Sequence, residues 1–143
     1  MAFGMWIEAA SAADLHLRPR TDEALIVNTG STNARGYRIY VEPSGRVRYV
    51  LANRGNTTQS QQLRGGKVTK AQAGKLFRDL TLARPLSKLP AGHGVKSVSF
   101  GTSTFITYRR QSTPDLSFPV NAQARALADD ARAIAAALRL PRR

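Results

Sequence analysis

The chain has 143 residues and a mass of 15.6 kDa, with 42% hydrophobic residues and no cysteine. It carries 22 Lys+Arg against 9 Asp+Glu, a formal net charge of +13 and a sequence pI near 11.4. These figures fit one domain able to bury about two-thirds of its unfolded surface. They exclude a disulfide scaffold, a thiolate metal site, an iron–sulfur cluster and a cysteine nucleophile. No run of about 18 apolar residues occurs, so no integral membrane segment is expected. The apolar content is ordinary and periodic, which argues against disorder.

In chain order, residues 1–13 contain no cation and one acid, Glu8, and end in Ala10-Ser11-Ala12-Ala13, a small-residue run of the kind signal peptidase cuts. Two readings fit this stretch: a signal-peptide remnant, or a short helix with Met5, Trp6 and Ala9 packed down. The remnant is favoured. It implies export to the periplasm or beyond, and the short helix implies a cytoplasmic protein.

A single domain is expected over residues 23–140. Ala24-Leu25-Ile26-Val27 is a short apolar strand closed by a turn cluster from Asn28 to Asn33. Tyr37, Ile39 and Val41 alternate with Arg38, Tyr40 and Glu42. After the turn at Pro43-Ser44-Gly45, Val47, Tyr49 and Leu51 alternate with Arg46, Arg48 and Val50. This predicts a hairpin with one apolar and one Arg-bearing face. Asn53 to Gly66 is polar and Gly-punctuated, and reads as a long loop. Thr69 caps a helix to about Ala83, with Ala73, Leu76, Phe77, Leu80 and Ala83 at i, i+3, i+4, i+7 spacing. A second hairpin is expected from Val95–Phe100 and Thr104–Arg110, turning at Gly101-Thr102-Ser103. After an irregular connector between Pro114 and Pro119, Asn121 caps a final helix to about Arg139, facing inward with Leu127, Ala131, Ile134 and Leu138. The order β-β-β-α-β-β-α, with tight turns between neighbouring strands, predicts an α+β fold. It has a single antiparallel sheet with two helices packed on one face.

For function, the Arg-bearing sheet face comes first. Arg38, Tyr40, Arg46 and Arg48, joined by Tyr108 and Arg110 from the second hairpin, could stack bases and hold phosphates. The competing reading is an ordinary solvated β-surface. Seventeen of the cations are Arg and five are Lys, a bias that GC-rich codons would also produce, although codon usage does not explain the shortage of acids. Arg64-Gly65-Gly66-Lys67-Val68-Thr69 resembles the end of a phosphate loop superficially. Gln61 stands where its first Gly should be and Val68 where Ser or Thr should be, so it reads as a flexible helix entry.

Catalytic groups are sparse. His16 and His93 sit in no metal-ligand spacing, no GxSxG elbow occurs, and Asp129 and Asp130 are adjacent on one helix and so point apart. Asp115 is expected to cap a turn. No catalytic residue, metal or cofactor is assigned. The expected partner is a polyanion, meaning nucleic acid or an anionic glycan, or an acidic protein. The expectation is a non-enzymatic basic binding module, exported. The alternatives are a cytoplasmic nucleic-acid-binding protein using the same face, and an inhibitor-like protein inserting Gln62-Leu63-Arg64-Gly65 into a protease cleft.

The segments Lys96-Ser97-Val98-Ser99-Phe100-Gly101-Thr102-Ser103-Thr104 and Ser112-Thr113-Pro114-Asp115-Leu116-Ser117 carry a resemblance. They look like small exported bacterial proteins in which a KSxSFGTST-like turn precedes an (S/T)PDLS segment and a last helix. The resemblance spans about positions 36 to 138 and implies export and an α+β domain, with no reaction. Cysteines that can flank the region in that pattern, near His93 or Gly94 and Phe118, are absent from this chain.

Overall fold

Period-two alternation puts Ile26, Ile39, Val41, Val47 and Ile106 on one side of their strands, and these residues are fully buried. In the computed structural model, which describes residues 18–31, 35–52, 62–94, 96 and 101–140, the strands form one six-stranded antiparallel sheet. The strands are β1 (Ala24–Asn28), β2 (Tyr37–Val41), β3 (Arg46–Leu51), β4 (Arg64–Lys67), β5 (Thr104–Tyr108) and β6 (Gln111–Ser112), in spatial order β4-β3-β2-β1-β5-β6. Two helices, α1 (Lys70–Leu82) and α2 (Ala122–Ala137), complete an α+β fold. No helix among the described residues is long and apolar enough to cross a membrane.

Both helices start where the sequence places them. Thr69 closes a capping box: its hydroxyl accepts from the Gln72 N–H while the Gln72 side chain accepts from the Thr69 N–H. Asn121 accepts from the Ala124 N–H at 2.8 Å. Leu76 and Leu80 from α1 and Leu127 and Ile134 from α2 meet the sheet residues in one continuous core. Burial of this order, about 1.5–3 kcal/mol for each large side chain, is what holds the helices on the sheet.

Two expectations are corrected. The stretch assigned to a loop and flexible helix entry contains β4, which pairs with β3 through Arg46↔Lys67 and Val47↔Gly66. Its Gly-Gly pair has no strand propensity, yet a Cβ on Gly66 would lie 3.0 Å from Leu138 Cδ2, so the edge strand passes close beneath the end of α2. Residues 53–61 lie outside the described residues.

The second hairpin is also displaced. β5 pairs with β1 on one side and β6 on the other, and the chain reverses at Arg109-Arg110 rather than at Gly101-Thr102-Ser103. Val95 and Ser97–Phe100, expected as a strand, lie outside the described residues, as does the stretch read as a signal remnant. The Pro43–Gly45 turn is as expected. Gly45 takes φ +97°, and its carbonyl accepts from the Val68 N–H at 2.8 Å, tying the turn to the exit of β4.

Candidate functional site

The six residues expected to form one Arg/Tyr surface are distributed over two faces. Register places Arg38, Tyr40, Arg46 and Arg48 on the face away from the helices, joined there by Lys67. Tyr108 lies on the helix face, buried, with its ring edge-on to Phe77 of α1 at 5.4 Å. The alternation Thr104, Ile106, Tyr108 against Phe105, Thr107 carries that placement, since Tyr108 shares the parity of the fully buried Ile106.

Tyr40 is fully buried, so it offers no open stacking surface. Arg48 lies over its ring at 4.8 Å and reaches Glu23, with Nη2 donating to Oε1 at 2.9 Å and Oε2 at 3.1 Å. The Glu23 side chain is itself fully buried. Arg48 thus neutralises an acid that could not otherwise be desolvated. The Nε groups of Arg38 and Arg48 are buried without hydrogen-bond partners.

One group of exposed cations gathers at one end of the sheet, while others, Arg64, Arg78 and Arg125 among them, lie elsewhere. Tyr108 pairs with Ala24, Ala24 with Val41, Val41 with Val47 and Val47 with Gly66, so the next positions outward are Arg109, Glu23, Glu42, Arg46 and Lys67. Five strands at about 4.8 Å spacing make this end roughly 19 Å wide. Arg46, Lys67, Arg109 and Arg110 are exposed there, with Arg18 and Arg20 leading into β1 and Lys70 opening α1.

Arg109 and Arg110 form the two-residue turn between β5 and β6 with φ +49° and +66°. Positive φ at both central positions defines the hairpin turn that Asn-Gly suits, and it costs other residues about 1–2 kcal/mol each. Arg109 is fixed: its guanidinium stacks on the Tyr108 ring at 5.3 Å, and its Nε donates to the Tyr108 hydroxyl at 3.0 Å. Arg139 also has positive φ, but there the strain is compensated. It follows α2, with Leu140 N–H bonding Ala135 O and Arg139 N–H bonding Ala136 O, a closure that favours the left-handed residue.

The acids are mostly consumed internally. Besides Glu23, Lys75 bridges Asp79 and Asp130, Lys96 pairs with Asp115, and Arg132 with Asp129. The other described acids are Asp22 and Glu42.

Asp79 and Asp130 are two carboxyls brought together from separate helices, which the adjacency of Asp129 and Asp130 concealed. Each lies 2.8 Å from Lys75 Nζ. Burial, and then the neighbouring Asp79 carboxyl, push the Asp130 carboxyl up to about 7 against the pull of Lys75. At Asp79 burial also raises the carboxyl, but Asp130 and Lys75 outweigh it and hold it below its ordinary value. The arrangement locks α1 to α2 through one ammonium.

Asp115 does more than cap its own turn. Its Oδ1 accepts from the N–H groups of Ser117 and Thr104, each at 3.1 Å, and from the Ser117 hydroxyl at 2.7 Å, while Oδ2 meets Lys96. Burial alone would raise this carboxyl; the lysine and these donors prevail and hold it at about 2. The two segments that carry the sequence resemblance are therefore tied together here. Beside the knot, a cleft of 340 Å³ lies between α2 and the end of the sheet where Asn28 pairs with Tyr37 and Thr104.

No protein-family model matches the chain, and no curated protein matches it.

Proposed function

We propose that the chain is a non-enzymatic basic binding module that engages a polyanion through the end of its sheet carrying Arg46, Lys67, Arg109 and Arg110. The observation that carries this reading is the Arg109-Arg110 turn. Two exposed arginines occupy positions where Asn or Gly would relieve strain, and one of them is held in orientation by Tyr108. Codon bias towards Arg does not account for this, because GC-rich codons supply Gly as readily. A strained site retained at the surface points to a use for its side chains.

Three features support it further. Cations outnumber acids 22 to 9, and most described acids are already engaged in ion pairs within the chain, so the outward field is positive. Guanidinium forks bind phosphate or sulfate bidentately. The width of the sheet end, about 19 Å, allows contact with several anionic groups along one strand of polymer. Arg38 and Arg48 act as support within this reading: Arg48 neutralises Glu23 and covers Tyr40.

Titration with a double-stranded DNA oligonucleotide and with heparin tests the proposal. With four to six anionic groups contacted on DNA, log K against log salt is expected to slope at about −3.6 to −5.4. Absence of saturable binding to both at low salt would overturn it. Export is a separate expectation from Ala10-Ser11-Ala12-Ala13, and sequencing the amino terminus of native protein tests it. A start at Met1 would contradict it.

A further inference from the structure

The 340 Å³ cleft lies at the opposite end of the sheet from the basic turns, on the helix side, and owes nothing to the polyanion reading. Its volume is at the small end of the range for ligand pockets, about 300–1,000 Å³. It exists because α2 presents Ala128, Ala131, Ala135 and Ala136 here, where longer side chains would fill the space. Leu116 completes an apolar wall.

The polar wall is biased towards donors. The Asn28 amide nitrogen donates to the hydroxyls of Thr102 at 3.3 Å and Thr104 at 3.5 Å. Each hydroxyl that accepts from Asn28 keeps its own proton for another acceptor. The Asn28 carbonyl oxygen accepts from the Gly30 N–H at 2.9 Å and is turned to that use. Ser117 directs its hydroxyl to Asp115 and to the Thr102 carbonyl. Arg132 stands exposed at the mouth, 3.3 Å from Asp129 in a pair that water screens, and none of the described residues lining the cleft is acidic. Burial raises the Tyr37 phenol above its ordinary value, so it stays protonated and a donor; the charge of Arg132 opposes this weakly.

We propose that this cleft binds a small carboxylate with a compact apolar body. The carboxylate meets the Arg132 guanidinium and the hydroxyls of Thr102, Thr104 and Tyr37, and the body rests on Leu116 and the alanines of α2. A cation meets Arg132 and no acidic side chain among the described lining residues, since Asp115 and Asp129 beside the cleft are already paired with Lys96 and Arg132. A neutral amide finds the hydrogen bonds but not the charge, which is worth about tenfold for a charge-assisted pair.

The test is an amide-resolved NMR titration of the full chain with four probes: benzoate, hexanoate, benzamide and hexanamide. The expected result is saturable binding of at least one carboxylate about tenfold tighter than its amide, with shifts centred on Thr102, Thr104 and Ala131. Arg132→Gln is expected to bring the carboxylate within about twofold of the amide. Ala136→Leu, at an exposed helix position where leucine is well tolerated, is expected to abolish binding of all four while leaving heparin affinity unchanged. No saturable binding by any probe would overturn the proposal. So would binding that survives Ala136→Leu, or shifts centred on Arg109 and Arg110.

Discussion

At one end of the sheet the strands run out into turns that carry Arg46, Lys67, Arg109 and Arg110 into solvent; at the other, Asn28, Tyr37 and Thr104 face a cleft roofed by α2. β1 spans both. It starts beside Glu23, fully buried and neutralised by Arg48, and ends at Asn28, whose amide organises two threonine hydroxyls. The comparison separates two uses of the same residue chemistry. Inside, the buried carboxylates Glu23 and Asp130 have counter-charges fixed by geometry. Outside, at the basic end, cations are set side by side and one pair is held against its backbone preference. A net charge of +13 therefore does not describe a uniformly sticky surface; it describes an interior that uses most of its acids and an exterior left positive.

The contrast breaks most sharply at Glu23. Arg48→Ala leaves a buried carboxylate without its partner and is expected to destabilise the fold by about 3–5 kcal/mol. Arg46→Ala, on the same face but exposed, is expected to stay within about 0.5 kcal/mol. Urea denaturation of both variants checks the difference, and equal effects would erase the distinction between compensated and free cations.

At the cleft end, Asp115→Asn weakens the knot that joins Lys96, Thr104 and Ser117, with an expected loss of about 1–3 kcal/mol at neutral pH. The folded chain holds this carboxyl at about 2, below its unfolded value near 4. Its stabilisation is therefore full above about pH 5 and is lost as pH falls towards 2. The difference between wild type and variant should close in acid, as followed by denaturation at stepped pH.

Asp130 runs the other way. Its folded value of about 7 lies above the unfolded one, so the native chain keeps a proton that the unfolded chain releases. That contribution is present below about pH 4 and is lost as pH rises through 7. Asp130→Asn should gain on wild type between about pH 4 and 7 and level off above that. A pH-independent difference would contradict the arrangement around Lys75.

At the strained turn the expected change is a gain in stability. Replacing Arg109 by Asn and Arg110 by Gly relieves two left-handed residues and gives up the stacking on Tyr108, for a net gain of about 1 kcal/mol. That corresponds to a rise of about 3 °C in Tm, read by calorimetry. A fall in Tm would show that the arginines stabilise the turn.

Much of this fold was legible because its signals are local. The i, i+3, i+7 spacing of Ala73, Leu76 and Leu80 and the caps at Thr69 and Asn121 act within one or two turns, and both helices lie where these signals put them. β4 was not legible, since Gly65-Gly66 has no strand preference and its pairing is decided by the free edge of β3 and by Leu138 above it. The β5–β6 turn was hidden for a related reason: Arg-Arg carries no turn signature, while Gly101-Thr102-Ser103 imitates one. At the candidate surface, alternation gave the side of the sheet for Arg46 and Arg48 but not their partners. Arg48 is committed to Glu23, 25 residues away in sequence, and no local pattern announces it. Asp79 and Asp130 likewise meet only because α1 packs on α2. The cleft is made of missing side chains, and an alanine-rich helix looks the same in sequence whether or not it leaves a space.

The most direct test of the account is the salt dependence of DNA binding for the wild type and for the Arg109→Asn/Arg110→Gly double variant. The expected result is a slope flatter by about 2 in the variant, from the loss of two anionic contacts, with a folded protein at least as stable as wild type. An unchanged slope and affinity would contradict the assignment of the polyanion surface to this end of the sheet.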